Sequence, residues 1–325
     1  MPLNTTYTGG VIAVKENSLL KEKILRFAEM TAQDAFRALQ ESGFGGGAET
    51  TADLYSFETL IEYEERSLDA FIREYAPDET TLAFLLAERD FHNAKALVKA
   101  KGLGVSAEKM LASEGMLSLQ TLRLVVDGED LSSLKNLPEL SGAIQTSLRS
   151  LADGTATGAQ IGLLFDKALY VYLGRLTKFR PTLKKLLAQK ADMTNILTAL
   201  RLVDKETAQD KYLPCGTLSN AQLSALWGDD ADAAAKEFSS TPYAAFVKRA
   251  VEMKSKGKPL SSAEKWRDGL ETNFFKEKRF DLKKAEPFLY YAYRRRTENA
   301  NVRIVFVGLL AGLSEREIKE RLRAW

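Results

Sequence analysis

The stretch Glu298-Asn-Ala-Asn-Val-Arg-Ile-Val-Phe-Val-Gly-Leu-Leu-Ala-Gly-Leu-Ser314 carries a pattern that occurs three times in the chain. The other copies begin with Asp90-Phe-His-Asn93 and Asp192-Met-Thr-Asn195, so an acid precedes each asparagine by three residues. That spacing puts the acid and the amide one turn apart on one face of a helix. Positions one, four and five after each asparagine are all apolar, which is typical of a helix with a buried face. The pattern predicts three related helices.

The ends of these helices are also marked in the sequence. Gly104 and Gly312 each lie 14 residues after the acid of their copy, and each is followed two residues later by serine, Ser106 or Ser314. We expect a glycine in the left-handed cap position and then a new helix that begins at a serine N-cap. Glu317 stands three residues after Ser314, which predicts a capping box. The middle copy lacks this glycine and serine.

A second pattern has nearly the same period. Gly115-Met-Leu-Ser118 is echoed by Gly216-Thr-Leu-Ser219, 101 residues later, whereas Asn195 follows Asn93 by 102 residues and Asn301 follows Asn195 by 106. Two separate patterns with one period favour an internal repeat of about 100 residues. We therefore predict three helical subdomains, with boundaries at residues 1–108, 109–208 and 209–325.

The rest of the chain also reads as helical, so the predicted fold class is all-α. An amphipathic helix precedes each copy, over Leu54–Tyr75, Phe165–Phe179 and Trp266–Phe280, and would form a hairpin with the helix that follows. An earlier helix is predicted over Asn17–Leu39. Ala76-Pro77-Asp78 is predicted to stop the helix that begins at Leu54, and Asp78 or Thr80 to cap the helix that follows. The glycine-rich stretch 43–47 is predicted to be a flexible connector, and no Gly-Lys-Ser/Thr follows it as a phosphate-binding loop would require.

Composition limits the possible functions. The 325 residues include 46 Lys or Arg and 44 Asp or Glu, so the net charge is only +2, which disfavours a protein that binds mainly nucleic-acid phosphates. A single Cys215 and a single His92 allow neither an internal disulfide nor a histidine-rich metal site, and they fit a reducing cytosol. No export signal is apparent at the N-terminus, and the most apolar window, 304–313, is about half the length of a membrane span.

No residue pattern predicts catalysis, a cofactor or a metal. Because the acid and the asparagine recur in three subdomains, we interpret them as structural groups that satisfy backbone polar atoms at helix ends. Lys95 and Arg303, two residues after an asparagine, are predicted to pair with another helix or another chain. The run of tyrosines at 290–293 and arginines at 294–296 resembles a nucleic-acid surface, but we interpret it as a solvated helix face. His92 has no nucleophile partner, and Cys215 is predicted to be an inert thiol.

These features together resemble one family. The threefold acid-x-x-Asn pattern, the all-helical chain and the ending Glu298-Asn-Ala-Asn-Val-Arg303 with Glu317-Ile-Lys-Glu-Arg-Leu322 are similar to the C subunit of the V-type ATPase of archaea and bacteria, equivalent to the eukaryotic d subunit. The resemblance implies three repeats in a pseudo-threefold funnel or cup and no catalytic residues. The residues that would shape its three walls are Asp90, Asn93, Asp192, Asn195, Glu298, Asn301 and Arg303.

The resemblance also implies partners. The cup of this family receives the central shaft subunits of the D and F type, and its other face rests on the membrane rotor ring of proteolipid subunits. The chain would then be a cytoplasmic, peripheral, non-catalytic rotor subunit in ATP synthesis and hydrogen ion transport, with sodium an equally open coupling ion. The alternatives are a cytosolic helical-repeat scaffold or RNA-binding protein, and, third, an enzyme, for which the spacing nominates no residue.

Overall fold

The computed structural model describes residues 5–20, 22–49, 53–128, 131–203, 205–281 and 284–323. Within these ranges the regular secondary structure consists of helices and contains no strand, which confirms the all-α prediction. The α-helices are α1 (Thr5–Lys15), α2 (Lys23–Phe27), α3 (Ala32–Glu41), α4 (Glu58–Tyr75), α5 (Glu79–Leu103), α6 (Leu119–Asp127), α7 (Pro138–Ala152), α8 (Gly158–Leu176), α9 (Pro181–Arg201), α10 (Asn220–Ala225), α11 (Ala231–Glu237), α12 (Ala244–Ser255), α13 (Ser261–Asp268), α14 (Leu270–Lys276), α15 (Glu286–Leu310) and α16 (Glu315–Arg321).

The helices form two compact units. Unit 1 contains residues 1–82 and 261–325, and unit 2 contains residues 83–260, so the chain leaves unit 1 within α5 and returns at the first residue of α13. This division shows which residues pack together, and it does not compare one repeat copy with another. The three subdomains expected from the repeat, 1–108, 109–208 and 209–325, remain a prediction about equivalence between copies.

Unit 1 is built around α15, which packs against α1, α2, α3, α4, α14 and α16. The apolar side of its second half joins the N-terminal helices in one core, in which Val302, Val305 and Phe306 cluster with residues of α2, α3 and α16. The residues of α15 are buried on most sides of the helix. Because its many polar side chains are shielded from water, they need hydrogen-bond partners within the protein. Unit 2 places α9 against α8, α10 and α12, and α7 against α8.

Several helix boundaries are where the sequence predicts them. Gly104 and Gly312 have φ of +64° and +70°, the left-handed conformation that glycine tolerates best. Ser314 accepts from the N–H of Glu317, whose side chain accepts from the Ser314 N–H, so the predicted capping box is confirmed. The Asp78 carboxylate accepts from the N–H of Thr81 at 2.8 Å and starts α5.

Other boundaries differ from the predictions. The helix expected over Asn17–Leu39 is broken into a turn at 16–18, α2 and α3, because the Thr31 side chain caps a new helix by accepting from the N–H of Asp34. The helix expected over Trp266–Phe280 is divided between α13 and α14. The helix expected at Ser106 is a single 3-10 turn at Glu108–Met110.

The prediction that the glycine-rich stretch is a plain flexible connector was wrong. It forms a 3-10 segment, Phe44–Glu49, that starts with the buried ring of Phe44 and packs on α4. Gly45 has φ of +69°, and a Cβ there would lie 2.5 Å from the Leu60 Cβ, so both the conformation and the space require glycine. The sequence signal was ambiguous because the same glycines permit flexibility and close packing.

Candidate functional site

The three repeated asparagines make the same contact. In each copy the side-chain Oδ1 accepts from the backbone N–H of one later residue, and Nδ2 donates to the carbonyl of that same residue. The pairs, with the two distances in that order, are Asn93 with Ala112 (2.8 and 3.3 Å), Asn195 with Leu213 (2.7 and 3.0 Å) and Asn301 with Arg323 (2.7 and 3.1 Å). All three amides are buried. The side-chain amide offers one acceptor and one donor, which pair with the N–H and the C=O of a single residue, so each asparagine fixes the chain that returns beside its helix.

The acids of the first two copies accept hydrogen bonds from the backbone of the same returning chain, a few residues after the one that the asparagine contacts. Asp90 accepts from the N–H groups of Met116 and Leu117 at 2.9 and 3.0 Å. Asp192 accepts from the N–H groups of Thr217 and Leu218 at 2.6 and 3.2 Å. These amides directly precede Ser118 and Ser219, whose hydroxyls cap α6 and α10. The carboxylates therefore set the positions at which these two helices begin.

The two glycines of the second sequence pattern make this approach possible. A Cβ on Gly115 would lie 2.3 Å from Asp90 Oδ1, and a Cβ on Gly216 would lie 2.6 Å from Asp192 Oδ1. Only hydrogen at Cα leaves room for the carboxylate to reach the following amides. The acid-x-x-Asn pattern and the Gly-x-Leu-Ser pattern are thus two halves of one junction, which explains their common period.

The third copy obtains its partners elsewhere in unit 1. Glu298 Oε1 accepts from the N–H of Leu20 at 2.6 Å, and its other oxygen accepts from the guanidinium of Arg295. Arg295 also donates to Glu64 of α4, and the second oxygen of Glu64 accepts from the N–H of Gly45 at 2.7 Å. Side chains of Arg295, Glu64 and Glu298 are 8%, 7% and 2% exposed. We call these three residues the buried ion network.

Burial and neighbouring charges together shift the pKa values of Glu298, Arg295 and Tyr243 at these junctions. Burial raises the pKa of Glu298, and the attraction of Arg295 opposes that rise. Burial disfavours the charge of Arg295, but the two carboxylates outweigh this effect and raise its pKa. Tyr243, which donates to Asp192 Oδ2 at 3.1 Å, has its pKa raised by burial and by the Asp192 charge. Each repeat carboxylate accepts hydrogen bonds from donors within the protein. These groups therefore stabilise the junctions between chain segments.

Comparison with known protein families shows which family this sequence matches. Residues 9–321 match the family model described as ATP synthase (C/AC39) subunit, a range that includes all three repeat motifs. The chain belongs to the ATP synthase (C/AC39) subunit family. The resemblance noted in the sequence is therefore confirmed at the level of the family.

Similar proteins include C subunits from two organisms. The C subunit of the V-type ATP synthase of Thermus thermophilus, in each of two strains, is 24% identical over 212 residues. That match includes 63% of this chain, and the chain spans 65% of the length of the Thermus relatives. The C subunit of the V-type sodium ATPase of Enterococcus hirae is 22% identical over 279 residues, 82% of each chain.

In this member of the ATP synthase (C/AC39) subunit family, the cations after the asparagines pair with other helices, as predicted. Lys95 of α5 contacts Asp166 of α8 at 2.8 Å in unit 2. Arg303 of α15 donates from Nε to both oxygens of Glu58 of α4, at 2.9 and 3.0 Å, in unit 1. In each pair the cation follows the asparagine of one copy and the acid lies on the helix that leads into another copy.

The prediction of a solvated face at 290–296 was wrong. Tyr290, Tyr291, Tyr293, Arg294 and Arg295 are all less than 9% exposed, because α15 is the central helix of unit 1. Phe71 of α4 packs against the Tyr291 ring with centroids 5.0 Å apart. The signal that pointed to burial was the position of Arg295, one helical turn before the motif acid Glu298.

The remaining candidate residues are His92 and Cys215. His92 Nε2 lies 2.9 Å from the carbonyl oxygen of Met110. Cys215 has φ of +70°, and burial raises the pKa of its thiol, which lowers its reactivity. Among the described residues, no group of His, Cys, Asp or Glu is placed to hold a metal ion. No described helix combines the length and the apolar character that crossing a membrane requires.

Sequence reasoning missed Glu64, Gly45 and Tyr243. Each acts on a repeat acid or on the buried ion network from a distant part of the sequence, so no local spacing connects them. Gly115 and Gly216 are recognisable as a repeat, but their contact with the acids of the other pattern required the fold.

Proposed function

We propose that this chain is a non-catalytic central-stalk subunit of a V-type ion-translocating ATPase, which couples the central shaft to the membrane rotor ring. The observation that carries the proposal is the family match over residues 9–321, supported by relatives named as the C subunits of V-type enzymes in two organisms. The partners that this role requires are shaft subunits of the D and F type on one side and the proteolipid ring on the other.

The geometry of the repeated residues supports a mechanical role. Asp90, Asp192 and Glu298 are 2%, 1% and 2% exposed, and each accepts hydrogen bonds from the backbone at a junction between chain segments. Buried, fully engaged carboxylates stiffen the contacts between helices and are inaccessible to a substrate. A coupling subunit has to transmit torque without yielding, and dense helix packing with fixed junctions supplies that stiffness.

The RNA-binding alternative loses its main support. The tyrosines of α15 that could have stacked on bases are buried in unit 1, with Tyr291 4% exposed. A near-neutral net charge of +2 also disfavours binding that depends on phosphate contacts. The funnel that the family resemblance implies remains a prediction.

The proposal is tested by affinity purification and by a measurement of ATP-driven ion uptake. Affinity purification through this chain from detergent-solubilised membranes of its own cells is expected to retrieve shaft subunits and the rotor ring. Membranes from cells that lack the chain are expected to lose ATP-driven ion uptake, and the purified chain should restore it. A folded chain that purifies alone, together with unchanged ion uptake in its absence, would overturn the role.

A further inference from the structure

The turn that joins α8 to α9 presents one aromatic ring among lysines. Phe179 is 83% exposed, and the Nζ of Lys178 lies 5.2 Å from the centre of its ring. Lys184 and Lys185, in the first turns of α9, are exposed as well. We call Lys178, Phe179, Lys184 and Lys185 the α8–α9 tip. The ring contributes nothing to the core of unit 2, and what distinguishes it from the other exposed apolar side chains is the set of exposed lysines near it in the sequence.

The sequence on both sides of this ring carries charge of one sign. Residues 167–191 contain seven Lys or Arg and no Asp or Glu. Arg175, farther back along α8, is matched by Glu139, to which it donates at 2.7 and 2.9 Å. The lysines of the α8–α9 tip lie beyond that pair in the sequence, on either side of the exposed ring. The tip therefore combines a positive potential with a protruding apolar group, in a chain whose net charge is only +2.

The same chemistry recurs at the corresponding turn of the third copy. Phe280, between α14 and α15, is 70% exposed, and the guanidinium carbon of Arg279 lies 4.3 Å from the ring centre. The corresponding turn of the first copy, Ala76-Pro77-Asp78, contains neither an aromatic residue nor a cation. An exposed phenylalanine beside a cation therefore occurs in the connecting turn before two of the three motif helices, 13 residues before Asp192 and 18 residues before Glu298, which is a second observation for a surface role.

We propose that the α8–α9 tip binds an anionic phospholipid surface. Clustered lysines are attracted to acidic headgroups, and a single ring that stands out from the protein can enter the boundary between headgroups and acyl chains. A protein partner would instead be matched by a contiguous apolar centre with a polar rim. This contact goes beyond the coupling role, because the purified chain alone would make it.

Vesicle binding by the full chain tests the proposal. We expect the chain to sediment with vesicles of phosphatidylcholine and phosphatidylglycerol, and to remain in solution with phosphatidylcholine alone. The pair Lys184→Gln and Lys185→Gln should lower partition by about fivefold for each lysine. Phe179→Ser should lower it by about tenfold, since the ring loses its apolar contact. Added salt should weaken binding.

Matched variants distinguish binding by the α8–α9 tip from binding that depends only on net charge. Lys109→Gln with Lys135→Gln removes two exposed lysines of unit 2 that lie outside the tip, and partition should stay within about twofold of the unaltered chain. Thermal unfolding of every variant checks that each is folded. Equal binding to both kinds of vesicle, or equal losses in the tip and control pairs, would overturn the proposal. Binding to single-stranded RNA that Phe179→Ser abolishes, without vesicle binding, would also overturn it and assign the tip to nucleic acid.

Discussion

Leu20 donates its backbone N–H to Glu298 at 2.6 Å, although the two residues are 278 positions apart. In the first two copies, the repeat acid instead binds the chain that follows it by 25 to 27 residues. The third acid thus uses the N-terminal region for the contact that the others obtain locally. Through Arg295 and Glu64 it also reaches α4, so this one junction joins the early and late segments of unit 1.

Removing one charge from the buried ion network should destabilise unit 1. Glu64→Gln leaves Arg295 with a single carboxylate in a site shielded from solvent, and we expect a loss of about 3 kcal/mol in the free energy of unfolding, measured in urea. Glu62→Gln is the matched control on the same helix, because Glu62 is 60% exposed and lies 3.8 Å from Arg66. That change should cost less than about 0.5 kcal/mol. Equal losses in the two variants would contradict this account of the network.

Gly115→Ala tests whether the two sequence patterns form one junction. The new Cβ would lie 2.3 Å from Asp90 Oδ1, so the carboxylate must move away from the two N–H groups that it binds. We expect a loss of about 2 kcal/mol in unfolding free energy. Gly142→Ala, within α7 and with no heavy atom near the added carbon, should instead gain about 0.5–1 kcal/mol. A neutral Gly115→Ala variant would argue against the junction.

Asn299 is expected to be a position where a mutation stabilises the protein. Its side chain is 2% exposed, and neither of its polar atoms has a hydrogen-bond partner among the described residues. The corresponding residues of the other copies, Phe91 and Met193, are apolar and buried. Asn299→Met should raise the unfolding free energy by about 1–2 kcal/mol. Asn301→Met, two residues later, should lower it because both bonds to Arg323 are lost. Parallel losses in both variants would show that Asn299 has a partner.

The pair Glu139 and Arg175 should make part of the stability of unit 2 dependent on pH. The hydrogen bonds from Arg175 lower the pKa of Glu139 below the ordinary carboxyl value. A lowered folded-state pKa means that the contribution is present above the unfolded-state pKa and is lost as pH falls through the folded-state pKa.

Urea titrations of the unaltered chain and of Glu139→Gln measure this contribution. The variant should be less stable by about 1 kcal/mol at neutral pH. The difference should disappear at acidic pH, where the unaltered chain has also lost the charge. A difference that is independent of pH would assign the effect to packing.

Much of the secondary structure could be predicted because its signals are local. The capping box at Ser314, the left-handed glycines Gly104 and Gly312 and the stop at Ala76-Pro77 each depend on a few neighbouring residues. The break after Phe27 was missed because the apolar spacing continues across it, while the cap at Thr31 interrupts the helix. The tyrosines and arginines of α15 were misjudged because polar composition normally indicates exposure.

The sequence by itself determined the helical class, the family and the register of the three copies, since helical periodicity, caps and repeat spacing are properties of the chain within a few turns. Tertiary structure alone decided what the repeated residues contact. Asp90 meets the amides after Gly115, and Glu298 meets Leu20 and Arg295, only when segments far apart in sequence come together. The physical reason is that a buried carboxylate or amide is stable only beside donors and acceptors that replace water, and packing selects which distant groups those are.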